Sequence, residues 1–393
     1  MARGTLKKAT IDKIEMTQRL VAFDTTSRNS NLTLIDFVRD YLDGYGVKSE
    51  LVFDAGGNKA NLYATIGPQD RGGILVSGHT DVVPVDDQDW HTDPFKIVEK
   101  DDRLYGRGSA DMKGFIATLL SLVPVLAQRK LREPVHLSFS YDEEIGCIGV
   151  RTLIDVLKDR PNRPRLAIVG EPTGMQVGTG HKGKHTLRCH VHGHEAHSSL
   201  VHQGVNAIEA AAELVAKLKE IARRKRDHGP FDPDFQPPYS SVHTGLIQGG
   251  TALNIVPRDC TFDFEVRPLP GDDVPAIVTE LREFAATHVL PEMHAVRPET
   301  SIVIEELSAA PGLETPADHE ATQLAAALSG ANGTIKVPFG TEGGLFAAIG
   351  IPTVICGPGS IDQAHKPDEF VALEQIARCE AFLQRLIDRV SQS

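Results

Sequence analysis

Short runs of unbroken apolar residues, separated by stretches with helical periodicity, limit what this chain can fold into more than any other feature. The runs are Gly73-Ile-Leu-Val-Ser-Gly78, residues 135–141, Leu166-Ala-Ile-Val169 and Pro352-Thr-Val-Ile-Cys356, with a fifth strand-like stretch at 61–66. A strand that is apolar on both faces must be covered on both faces. Helical spacing at 11–23, 32–42, 114–127, 151–157 and 373–390 supplies the covering layers. Alternating helices and short buried strands predict an α/β fold: a mixed, largely parallel sheet with helices on both faces.

The middle of the chain has a different texture. From 186 to 194, Leu187, Cys189 and Val191 alternate with Arg188, His190 and His192, the pattern of a half-exposed antiparallel strand. A helix at 205–224, strands at 241–247 and 260–267, a helix at 273–288 and a strand at 301–307 complete a β-α-β-β-α-β order. That order is ferredoxin-like. At 393 residues, two domains are the default. The expected division is a main domain of residues 1–181 and 309–393, with an α+β domain of residues 182–308 inserted into it as a lid.

The ends of the apolar runs carry the chemistry. One runs into Gly78-His79-Thr80-Asp81, another ends in Asp142-Glu143-Glu144, and a third ends in Gly170-Glu171-Pro172. In open α/β sheets, ligands bind outside the carboxyl ends of the strands. Asp111 lies in a turn before a buried helix, and His365 follows the loop after the last apolar strand. Taken singly, each has a plain structural explanation: a core histidine, a helix cap or a solvated acid. Five such residues converging on one edge is the His/Asp/Glu mixture that suits zinc. Asp81, two residues on, is placed to accept a hydrogen bond from the ring N–H of His79.

Composition excludes several other functions. A net charge of −12 argues against nucleic acid and anionic membrane partners. No stretch approaches the roughly 20 apolar residues of a membrane span. Residues 1–10 lack the apolar core of a secretory signal. Five scattered cysteines form no disulfide framework and suit a reducing compartment, so the expected location is cytoplasmic. Gly106-Arg-Gly108 before a helix raises a nucleotide-dependent oxidoreductase, but the third glycine of a dinucleotide loop is missing.

The runs Gly78-His-Thr-Asp-Val-Val-Pro84, Gly106-Arg-Gly-Ser-Ala-Asp-Met-Lys-Gly114, Asp142-Glu-Glu-Ile-Gly146 and Gly170-Glu-Pro-Thr173 resemble a family of co-catalytic metallohydrolases. That family includes acetylornithine deacetylases, succinyl-diaminopimelate desuccinylases, aminoacylases and related carboxypeptidases. The tail Gly357-Pro-Gly-Ser-Ile-Asp-Gln-Ala-His-Lys-Pro-Asp-Glu369 is most similar to the acetylornithine deacetylase branch. The resemblance implies two divalent metal ions, zinc with cobalt or manganese as alternatives. His79 and Glu171 would hold one, Glu144 and His365 the other, and Asp111 would bridge. Glu143 would be the general base, Asp81 a catalytic partner of His79, and the peptide after Asp111 would be cis.

The same resemblance assigns His197, in Ala196-His-Ser-Ser199, to oxyanion stabilisation in a neighbouring subunit, which implies a homodimer through the lid. It assigns Asn254 and Arg267 to the substrate carboxylate, and Gly340, Thr341 and Glu342 to the substrate pocket. Gly343 departs from that branch, which often has alanine there. The implied reaction is deacylation of a small N-acyl amino acid: N2-acetyl-L-ornithine and water to L-ornithine and acetate, a step of arginine biosynthesis. The alternative within the family is N-succinyl-diaminopimelate or another N-acyl amino acid. A catalytically dead metal-binding relative fits less well, since it would have no use for an unliganded acid at Glu143.

Overall fold

In the computed structural model, which describes residues 11–392, alternate side chains of the central strands enter two separate cores. Ile74 and Val76 join one hydrophobic cluster with Leu166 and Ile168, while Leu75, Ala167 and Val169 join another. Helices Lys113–Leu126 and Leu373–Val390 supply Phe115, Ile116, Leu120, Phe382 and Leu386 to the first. Helices Val150–Lys158 and Gly343–Ala348 supply Leu153, Leu157 and Phe346 to the second. Each such side chain, fully buried, contributes roughly 1.5–3 kcal/mol, so covering both faces is the dominant local driving force.

Four strands form the parallel centre of the sheet: Val135–Ser140, Ile74–His79, Leu166–Pro172 and Thr353–Gly357, hydrogen-bonded in that order. Antiparallel neighbours flank them, with Ala60–Ile66 and Ser49–Phe53 on one side and Val177–His181 beyond Thr353–Gly357 on the other. Among the described residues the sheet has nine strands. His79 is level with Ser140 across the central pair, so the carboxyl ends of these strands share one edge. A small antiparallel sheet of Val98–Lys100, Arg103–Tyr105 and Phe370–Ala372 is not marked by any periodicity, because three-residue strands leave no periodic signal.

This unit comprises the described residues up to Gly180, Leu313–Val337, and those from Thr341 onward. A second unit takes in His181–Gly312 and Pro338–Gly340. It has four antiparallel strands in the order Ser241–Gly249, Asp259–Arg267, Lys184–His192, Ser301–Ala310. Helices Ala207–His228 and Val274–Phe284 cover one face, packing Leu214, Leu218, Ile277 and Leu281 on Leu187, Cys189, Phe262 and Phe264. This is the ferredoxin-like arrangement. Among the described residues no helix is long and apolar enough to cross a membrane.

Candidate metal centre

Each ligand-type residue is delivered by a different part of the fold. His79 is the last residue of its strand and Glu171 the sixth residue of Leu166–Pro172. Asp111 lies two residues before helix Lys113–Leu126, at a cis Asp111–Met112 peptide. Glu143 and Glu144 follow strand Val135–Ser140, and His365 lies in the loop after Thr353–Gly357, with a left-handed φ of 62°. A left-handed backbone at a residue other than glycine is uncommon and clusters at functional sites.

The carboxylate of Asp111 faces a histidine with each of its oxygens. Oδ1 lies 3.0 Å from His79 Nε2 and Oδ2 lies 3.4 Å from His365 Nε2. Glu144 Oε2 is 2.9 Å from His365 Nε2, and Glu171 Oε1 is 3.7 Å from His79 Nε2. The ligand-type atoms of His79, Glu143 and Glu171 all lie within 4.8 Å of one another, as do those of His79, Asp111 and Glu144. Glu143 therefore turns into the cluster and not away from it.

The electrostatics call for a cation. Burial pushes Glu143 up to about 8 and Glu144 up to about 6, each reinforced by neighbouring carboxylates. Glu171 is raised well above the ordinary range by burial and by Asp111. Glu342, also buried, is pushed up to about 7. His365 rises to about 10 through its hydrogen bonds to Asp111 and Glu144. Burial alone would raise Asp111, but hydrogen bonds from His365 and His79 hold it below its ordinary value. Glu171 Oε1 is buried and accepts no hydrogen bond, an arrangement that normally costs free energy. A divalent ion among these groups would satisfy that oxygen and reverse the repulsion. Two imidazoles and three carboxylates are a donor set that suits zinc and its first-row neighbours.

Asp81 meets His79 through its main chain. The nearest acceptor for His79 Nδ1 is the main-chain carbonyl of Asp81, at 2.9 Å, while the carboxylate stands 3.6 Å away. That carboxylate instead accepts from the backbone N–H groups of Glu143, at 3.1 Å, and Glu144, at 3.3 Å. The hydroxyl of Ser27 donates to it at 2.7 Å. So Asp81 fixes the imidazole through its backbone and the acidic turn through its side chain. The turn begins at Asp142, which is left-handed at φ 53°. Asp142 is paired with Lys59 at 2.5 Å, a structural role. Cys147 is buried, and its thiol donates to Glu143 Oε1 at 3.1 Å. Nothing local in the sequence marks Ser27 or Lys59, because both contacts join distant stretches of chain.

Thr341 and Glu342 are buried in the first unit, where Ser77 Oγ donates to Glu342 Oε2 at 3.3 Å. His197, Asn254, Arg267 and Gly340 belong to the second unit. There the carbonyl of Asn254 accepts from Ser198 N at 3.0 Å, so the His197 and Asn254 loops run side by side. The His197 ring nitrogen Nδ1 lies 2.8 Å from Ser199 Oγ. Arg267 pairs with Glu265 on its own strand at 2.5 Å. Four other histidines of this unit stand beside acids: His185 by Glu306, His190 by Glu305, His192 by Asp259 and His194 by Glu299.

The profile of peptidase family M20/M25/M40 matches residues 75–389. The chain is 37% identical, over 94% of its own length and 94% of the relative's, to acetylornithine deacetylase from Myxococcus xanthus. It is 34% identical to the protein of the same name from Pasteurella multocida (strain Pm70), over 95% and 97% of the two chains. Among solved structures, aminopeptidase PepT from Bacillus cereus ATCC 10987 has a similar fold, with a TM-score of 0.74, 19% identity, and coverage of 97% of this chain and 100% of that one. The M20 family metallo-carboxypeptidase Sso-CP2 from Sulfolobus solfataricus also gives 0.74, at 17% identity and coverage of 95% and 98%.

Proposed function

Because the chain belongs to peptidase family M20/M25/M40 and is a metallohydrolase of that kind, we propose that it removes the acyl group from an N-acyl amino acid, with N2-acetyl-L-ornithine as the substrate. One observation carries the metal reading: the two oxygens of Asp111 face two different histidines, as a bridging carboxylate requires. In this reading His79 and Glu171 would hold one divalent ion, Glu144 and His365 would hold a second, and Asp111 would be shared between them. Zinc is the expected metal, with cobalt or manganese as substitutes. When bound, such ions would supply Lewis acidity to the amide carbonyl and to water near neutral pH.

The chain's own residues do the rest. Glu143 takes a proton from the attacking water and returns it to the departing amine nitrogen, the work of a carboxylate held inside the cluster and given no metal to hold. Asp81, tied to the Glu143 and Glu144 backbone, keeps the acidic turn in place for that transfer. His197 serves the oxyanion in a partner subunit, and Asn254 and Arg267 bind the substrate carboxylate, whose planar pair of oxygens suits the guanidinium fork. Arg267 must exchange Glu265 for the substrate to do so. Gly340, Thr341 and Glu342 are assigned to substrate binding.

A homodimer follows from the role given to His197. Supporting it, the edge strand Ser241–Gly249 of the second unit leaves Leu246 68% and Ile247 56% exposed, and Leu253 in the loop after it is fully exposed, apolar side chains that a partner would cover. Light scattering should give twice the 42.6 kDa chain mass; a monomer at micromolar concentration would overturn this part. Five buried thiols fit a cytoplasmic setting.

The naming of relatives at 34–37% identity as acetylornithine deacetylases supports the substrate choice. A panel of N-acyl amino acids, including N-succinyl-diaminopimelate, tests it on metal-loaded protein. Acetylornithine should have the highest kcat/KM; turnover hundreds of times slower than another member of the panel would reject it.

A further inference from the structure

Two residues within the motif-like runs, Arg107 and Glu369, take no part in the proposed metal set, yet each is only 1% exposed. A buried ion pair is held at a large desolvation cost unless its remaining donors and acceptors find partners. Here the carboxylate is fully used. Glu369 Oε2 accepts from Arg107 Nη1 at 2.8 Å and from the N–H of Gly108 at 3.0 Å. Its Oε1 accepts from the N–H of Ala110 at 2.9 Å and of Asp111 at 3.0 Å. The guanidinium reaches the other way. Arg107 Nη2 donates to Gln88 Oε1 at 2.6 Å, and Gln88 Nε2 donates to the carbonyl of His365 at 3.1 Å. Arg107 Nη1 also contacts the carbonyl of Lys366 at 3.3 Å.

We propose that the Arg107–Glu369 pair positions the metal centre by clamping together the loop that presents Asp111 and the loop that presents His365. The inference rests on reading those two residues as metal ligands. The carboxylate fixes the main chain over 108–111, so the Asp111 side chain starts from a fixed Cα. The guanidinium fixes the main chain at 365–366 through Gln88 and directly. Metal–ligand distances tolerate errors of only about 0.2 Å, so the separation of the two loops enters the binding constant. Glutamine cannot replace Glu369. Whichever way its amide is turned, the NH2 group meets two donors where the carboxylate met two donors with an acceptor.

The test is metal affinity, read by competition with a chelator well below the unfolding temperature, together with the visible spectrum of the Co2+-loaded protein. Glu369→Gln, shown to be folded by circular dichroism, should bind metal about 10–100-fold more weakly, the usual effect of losing an outer-shell partner, and should shift the Co2+ bands. A folded variant with the affinity and spectrum of the natural protein would overturn the proposal, since a merely structural pair would lower only the melting temperature. Should Glu369→Gln not fold, Gln88→Ala, at a partly exposed position, decides: a several-fold loss of affinity supports the clamp and an unchanged affinity overturns it. Asp111→Ala separates the two readings. If it keeps both metals at full affinity, the metal-centre assignment fails in its own right.

Discussion

At the scale of single residues, desolvation moves the proton affinities of Glu143 and His136 in opposite directions. Glu143 belongs to the acidic cluster but is given no metal to hold. Replacing it by alanine should lower kcat by about 10²–10⁴-fold with both metals retained, as measured by activity and metal analysis on one sample. Activity close to that of the natural protein would remove it from the role of base. His136 is 2% exposed, and its Nδ1 lies 2.8 Å from the Tyr63 hydroxyl. Burial pulls it down to about 4. The folded value lies below the unfolded one, so the native state binds fewer protons. Its contribution is complete above about pH 6.5 and is lost as pH falls toward about 4. Between about pH 7 and about pH 5, stability to urea should drop by about 2 kcal/mol more in the natural protein than in His136→Asn, which keeps an acceptor for Tyr63. Equal drops would show that His136 is not the titrating group.

Among elements, the strand Leu166–Pro172 shows how packing aims a ligand. A Cβ on Gly170 would stand 2.1 Å from the ring of Phe115, which is itself fully buried in helix Lys113–Leu126. Glycine lets helix and strand approach closely, and the next residue is Glu171. Gly170→Ala should destabilise the protein by about 1–3 kcal/mol and weaken metal binding along with it, because the strand must move to admit the methyl group. Calorimetry and chelator competition on this variant check both halves; a stable variant with normal affinity would show that the contact yields without moving Glu171. The apolar runs themselves were plain in the sequence, and helix Leu373–Val390 has the bounds that periodicity gave. The acidic turn was harder. Alternation places Glu143 and Glu144 on opposite faces, and only the left-handed backbone at Asp142, held by Lys59, brings both into one cluster.

For the whole molecule, a metal pair is a ligand that binds the folded state. Stripping it with a chelator should lower the melting temperature, by the equivalent of about 4 kcal/mol for a metal present at a thousand times its Kd. The loss should grow as pH rises and be largest above about pH 8, where Glu143, Glu144 and Glu342, pushed up to about 8, 6 and 7, would all be ionised in the stripped protein. Scanning calorimetry of stripped and reloaded samples across pH reads this. A melting temperature indifferent to chelation would contradict the metal centre.

Much of this was legible from one dimension. Unbroken apolar runs require a sheet buried on both faces, and a parallel sheet brings the ends of its strands to one edge, so His79, Glu171 and the acids after Ser140 could be gathered before any coordinates. Tertiary structure decided what no local pattern encodes: that the backbone of Asp81 faces His79 while its carboxylate holds the acidic turn, that Ser27 supports it, and that Glu369 reaches back to the loop of Asp111. The physical reason is a difference of range. Burial and strand pairing follow from the average polarity of a segment. A hydrogen bond instead depends on a few tenths of an ångström between residues that 54 or 258 positions of chain keep apart until the core has formed.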